Sequence, residues 1–153
     1  MSEDELRGGC SASGRAGDLF RSGFYCAESV LLAISEQMGI KSELIPRMAS
    51  GFCSGVSRTC GMCGALSGAI LALGLRYGRS TPDGDLEPIY AKVQLLLARF
   101  RERFGTTNCR ELIGCDLNTS EGQRFFMEHD CETKCREITQ EAARIAASLI
   151  DVA

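Results

Sequence analysis

The sequence predicts an all-α fold, a single bundle of about five to seven helices. Three observations carry this. Apolar residues recur at steps of three and four along several segments, no segment alternates as a half-buried strand would, and no internal repeat or linker divides the chain. At 153 residues the chain suits one domain. A domain of that size buries about two-thirds of its unfolded surface and folds without covalent staples.

Residues 1–15 carry Gly8, Gly9, Ser11, Ser13 and Gly14 with few apolar side chains. That composition predicts a mobile tail, including Cys10, ahead of a cysteine-rich helical domain over 16–153. From Ala16 to Met38, the positions Leu19, Gly23, Cys26, Val30, Ile34 and Met38 follow the period of one helix face, which turns Cys26 inward. Gly39 stops this helix, and a short one is expected over Glu43 to Ala49 with Pro46 in its first turn. The stretch from Ser50 to Cys60 is rich in glycine and serine, as a binding loop is.

The central helix is expected over Gly61 to Tyr77, with Gly61, Gly64, Ala65, Gly68, Ala69 and Ala72 along one stripe. Each glycine in a helix interior costs about 1 kcal/mol against alanine, so the stripe implies close approach of a neighbouring backbone or a cofactor. A loop follows over 78–85, then an amphipathic helix from Glu87 to Phe104 with Ile89, Val93, Leu96, Leu97 and Phe100 inside. Cys109 to Cys115 reads as a helical turn or two, Gln123 to His129 as another short helix. The last helix, Glu132 to Ile150, places Cys135, Ile138, Ala142, Ile145 and Leu149 on one face.

A hydrophobic fraction of 44%, a charged fraction of 24% and a net charge of -3 are ordinary for a globular protein. They give no basic field for a phosphate backbone, so nucleic acid is not an expected partner. The uncharged stretch Thr59 to Leu75 falls short of the roughly 20 apolar residues of a membrane span and reads as a buried helix. The acidic start lacks the pattern of a secretory signal, which makes the reducing cytoplasm the expected compartment. Nine cysteines there, an odd number, point to metal binding or redox chemistry over a disulfide framework, with some buried as small hydrophobes.

Cys60-Gly-Met-Cys63 is the sharpest local signal, a C-x-x-C entering a helix, where free N–H groups and the helix dipole favour the thiolate. Thiolates attack disulfides and bind metals, and without a βαβ pattern the motif leaves both open. Cys131 and Cys135 lie four apart; on a helix their Cβ atoms stand about 5–6 Å apart. A disulfide wants about 3.5–4.5 Å, so that pair is expected unbridged, with either sulfur free to ligate. His129 with Cys131 and Cys135 makes at most half a zinc motif, and the histidine otherwise reads as a partly exposed helix end. Glu28 reads as an exposed helical glutamate before it reads as a proton acceptor for Cys26. One histidine builds no convincing serine triad, and no phosphate-cradling glycine motif occurs.

Cys26 within Tyr-Cys-Ala-Glu-Ser-Val, Cys63-Gly-Ala-Leu-Ser-Gly68, Cys109-Arg-Glu-Leu and a late cysteine before Ala142-Ala143 together resemble the C-GCAxxG-C-C family of redox-active proteins. The resemblance covers nearly the whole chain after residue 16. Through the family's likeness to the amino-terminal part of split-Soret cytochromes it implies an iron–sulfur cluster. The matching sulfurs are Cys26, Cys63, Cys109 and Cys135, with Cys131 competing for the fourth place. No C-x-x-C-H haem site is present, and Cys53, Cys60 and Cys115 are additional to the pattern.

The readings in play are therefore four. The first is electron transfer to an unidentified redox protein through a cluster, of [2Fe-2S] type, with Gly64 and Gly68 giving it room. The second is a metal-free thiol–disulfide oxidoreductase using Cys60 and Cys63. The third is a zinc site, and the last is plain burial of most cysteines. A homodimer is compatible with each.

Overall fold

The protein is described by a computed structural model, in its backbone over residues 3–150 and in its side chains over residues 12–150. Its helices are α1 (Glu3–Ser22), α2 (Cys26–Gln37), α3 (Cys53–Arg58), α4 (Gly64–Tyr77), α5 (Glu87–Phe104), α6 (Cys109–Ile113), α7 (Ser120–Glu128) and α8 (Cys131–Leu149), with a 3-10 turn over Arg47–Phe52. The bundle is all-α: the described residues contain no strand, only an isolated antiparallel bridge between Met62 and Asn108. No helix in them is long and apolar enough to cross a membrane.

The layers follow from where small residues allow close approach. Helix α2 packs on α4, α1 and α8, and α8 in turn covers α1 and α4, while α5 flanks α4. Ala27, Ala33, Ala65, Ala69, Ala72, Ala142, Ala143 and Ala146 are fully or almost fully buried between them, with Leu31, Ile34, Leu66, Leu73, Leu96 and Phe100 filling the remaining space. A side chain on Gly68 would put its Cβ 2.5 Å from the Ala27 carbonyl oxygen and 2.9 Å from the Ala27 Cα. That glycine is therefore what lets α4 lie against the backbone of α2.

The later elements stand where expected, α5 with its expected bounds and α6, α7 and α8 with ends shifted by one to three residues, because their ends are marked in the sequence. Asp85 accepts from the Glu87 N–H at 2.9 Å to open α5, and Gly105 closes it at φ 82°. Asn108 caps α6 by accepting from the Glu111 N–H at 3.1 Å. Thr119 caps α7 by accepting from the Gly122 N–H at 2.9 Å, so α7 begins before Gln123.

The first half differs more. The helix expected from Ala16 to Met38 is two helices, broken at Gly23, whose φ of 116° only glycine adopts readily. Phe24 N–H then reaches back to the Leu19 carbonyl at 3.2 Å, and Cys26 begins α2 instead of lying mid-helix. Helix α1 itself starts earlier than the apolar period suggested. Residues 12–15 are helical and Ala12 is buried, whereas the rest of the expected tail, with the side chain of Cys10, lies outside the described residues. The helix expected over Glu43 to Ala49 is instead the 3-10 turn, entered from Pro46 after a cis Ile45–Pro46 bond. The central helix starts at Gly64, with Cys63 as its cap, because Cys60 to Met62 are tied to the segment before α6.

Candidate cysteine-lined redox site

Cys26, Cys63, Cys109 and Cys135, which are far apart in sequence, all line one cavity of about 490 Å³. Three of them stand at helix starts. Cys26 is the first residue of α2, Cys63 caps α4 and Cys109 opens α6, whereas Cys135 lies one turn into α8. Backbone bonds fix the middle pair: Cys63 N–H donates to the Thr107 carbonyl at 2.8 Å and Cys109 N–H to the Gly61 carbonyl at 2.9 Å. Asn108 Nδ2 adds a bond to the Cys60 carbonyl at 2.6 Å.

Two glycines make room for the sulfurs. A Cβ on Gly64 would overlap the Cys26 Sγ, and one on Gly55 would lie 2.5 Å from the Cys109 Cβ. Gly64 lines the cavity; Gly68, expected to give a cofactor room, gives it to the α2 backbone instead.

Residues 54–58 hold the least expected conformation. Ser54, Gly55, Val56, Ser57 and Arg58 all have φ between 52° and 69°, so α3 is a left-handed turn. Left-handed backbone costs roughly 1–2 kcal/mol for each residue with a Cβ. The turn sets Ser54 and Arg58 on the cavity wall and the Gly55 backbone against Cys109. The only sequence signals for it were Gly55 and the flanking serines.

Burial dominates the thiol chemistry. The Cys63 thiol is pushed up to about 11 by burial, although the backbone N–H groups of Leu66 and Ala65 pull the other way. The expectation that the helix start favours a Cys63 thiolate is thus reversed, because desolvation exceeds the pull of the amides. Burial likewise pushes Cys109 up to about 11, with Cys115 and Cys60 adding to it. Cys135 rises further, first through burial and then through Cys63, Cys109, Cys131 and Cys115. These mutual effects trace a contiguous group of sulfurs.

Cys53, buried beside this group, is raised far above the usual thiol range by a hydrogen bond with the Cys26 thiol and by burial. Glu28 is a half-buried brace and not the exposed residue expected from its helix position. Its carboxylate accepts from the Tyr25 N–H at 3.1 Å, the Ser50 hydroxyl at 2.8 Å and the Cys53 thiol at 3.7 Å.

Cys60 does not line the main cavity; it borders a tight crevice with Arg58, Cys109, Arg110 and Cys115. Its thiol is raised by burial and by Asp116, against an opposing pull from Arg110. Cys131 is buried at the start of α8 and does not line the main cavity. His129 is exposed at the end of α7, stacked on Phe125 with ring centroids 3.9 Å apart.

Residues 24–149 match the family described as "Putative redox-active protein", named for its C-GCAxxG-C-C pattern. The chain belongs to this family. It is also 33% identical over 133 residues to an Archaeoglobus fulgidus protein named "Uncharacterized protein", a match that spans 80% of this chain and 82% of the relative. No solved structure matches.

The pattern of this redox-active family falls on Cys26, on Cys63 to Gly68 and on Cys109, and these three cysteines line the main cavity. Four soft thiols border this cavity, and thiolate is a donor that iron–sulfur clusters and zinc sites both use. Among the described residues, no three or more His, Cys, Asp or Glu side chains are grouped so as to hold a metal ion.

Proposed function

We propose that this protein transfers electrons through an iron–sulfur cluster, of [2Fe-2S] type, held by Cys26, Cys63, Cys109 and Cys135. The observation that supports it is the gathering of these four thiols around one cavity from four different helices. The cluster would supply one-electron chemistry. The protein's part is to shield and orient. Phe20, Leu112, Ile113 and Ile138 wall the cavity against water, and the Ala65 and Leu66 amides face the Cys63 sulfur. Both features set a cluster's potential. Tyr25 and Met127, exposed on the cavity wall, offer a separate redox protein its point of approach. The reducing cytoplasm is the compartment that suits these thiols.

The dithiol reading has less support, since Cys63 lines the main cavity and Cys60 does not, and both thiols are held above their ordinary range. The two readings separate in anaerobically prepared Cys63→Ser and Cys60→Ser proteins, assayed for iron and for thiol–disulfide exchange. The cluster reading expects iron to be lost from Cys63→Ser and largely kept by Cys60→Ser. Full iron in Cys63→Ser rules out its ligand role. Equal loss of exchange activity from both variants in metal-free samples establishes the dithiol.

A further inference from the structure

Beside the main cavity lies a second pair of thiols, neither of which lines it. Cys115 follows Gly114, the left-handed end of α6, and Cys131 opens α8 after Asp130. Both are buried, at 8% and 5% exposure, Cys115 being the more exposed of the two. The Cys131 thiol donates to the Ile113 carbonyl at 3.6 Å, which brings its sulfur against the segment carrying Cys115. Burial raises the Cys115 thiol, and the nearby Cys131 raises it further. Nothing in the proposed electron-transfer site uses either sulfur.

The chain between them is Asp116 to Asp130, which contains α7. This segment supplies Leu117, Gln123, Phe126 and Met127 to the wall of the main cavity. Yet α7 is weakly anchored, Gly122 being its one buried residue. A bond between Cys115 and Cys131 would tie both ends of that wall together.

We propose that Cys115 and Cys131 form a reversible dithiol–disulfide pair that clamps the α7 segment over the cavity. Its oxidant is a low-molecular-weight disulfide. Cys115, the more exposed of the pair, attacks one sulfur of that disulfide as the weakly packed α7 segment opens, and releases one thiol. Cys131 then attacks the Cys115 sulfur of the mixed disulfide and releases the second. Two S–H bonds and the oxidant's S–S bond break, one Cys115–Cys131 bond forms, two electrons pass to the oxidant, and both protons leave on the released thiols. Gly114 gives the backbone freedom for the sulfurs to close to bonding distance. The pairing stands independently of the cluster, since it needs no metal.

The test treats the full chain anaerobically with oxidised glutathione, blocks free thiols with iodoacetamide and maps disulfides by peptide mass spectrometry. The expected product is the Cys115–Cys131 linkage, reversed by dithiothreitol. In the linked form, amide exchange over residues 120–128 is expected to slow by about tenfold or more, since closing a loop of this size restricts its opening. Cys131→Ser is expected to stop at a glutathione adduct on Cys115, with no slowing in α7; Cys131→Ala, which keeps the apolar burial, serves if serine disturbs folding. Linkage of other cysteines in place of this pair overturns the proposal, as does unchanged α7 exchange in the linked protein. Iron is measured on the same variants, and its loss from Cys131→Ala would overturn the pairing by making Cys131 a ligand. Failure of the cluster reading leaves the disulfide map and the exchange rates unaffected.

Discussion

A thiol's behaviour here is decided by what surrounds it more than by its place on a helix. Cys63 has the amides of an N-terminus, which favour its charge, and a buried position, which opposes it, and burial wins. Cys63 and Cys109 are pushed up to about 11 in the fold, against an ordinary 9.0. Between those values the folded protein keeps protons that the unfolded chain has lost, so raising the pH favours unfolding. Their contribution is fully present below pH 9.0 and lost as pH rises through about 11. The metal-free protein should therefore show a falling melting temperature across that window, and Cys63→Ala should flatten the fall. A melting temperature that does not fall there would contradict the burial argument.

At the scale of elements, contacts depend on residues too small to be noticed for chemistry. Gly68 admits the α2 backbone, and a methyl group there would press on Ala27 with no flexible side chain to yield. Overpacking of this kind costs about 1–3 kcal/mol, so Gly68→Ala should lower stability by that amount in denaturant titration. Gly74, on the same helix with nothing within 4 Å of its would-be Cβ, provides the control. Alanine there should be neutral or stabilising by up to about 1 kcal/mol through its better helix propensity. Equal effects at the two sites would mean that propensity, not the α2–α4 approach, explains the glycines.

For the whole molecule, the core and the site are separable. Phe100 is fully buried, with its ring centroid 4.8 Å from that of Phe104, and it takes no part in lining the main cavity or the crevice at Cys60. Phe100→Ala should cost about 3–5 kcal/mol. Folded protein prepared at low temperature should nonetheless keep its parent's iron content. Loss of iron from a folded sample would show that the cavity depends on the α5 packing.

The sequence by itself determined the all-α class, the bounds of α5 and the positions of α6 and α8, because those helices carry a clear apolar period or explicit end signals. The family motif put Cys26, Cys63 and Cys109 in one pattern and left Cys131 and Cys135 competing for the fourth place; of those two, Cys135 lines the cavity. Only the tertiary structure decided the rest. Gly23 sits in phase with an apolar face, so periodicity ran through it, whereas its φ of 116° breaks the chain and makes Cys26 a helix start. The left-handed run from Ser54 to Arg58 has almost no local signature, since its backbone cost has to be offset by long-range contacts such as Gly55 against Cys109. Which sulfurs meet is equally non-local. Cys131 and Cys135 look equivalent one turn apart, but that turn directs Cys135 to the cavity and Cys131 to the Ile113 carbonyl, a choice fixed by how α8 packs on α6.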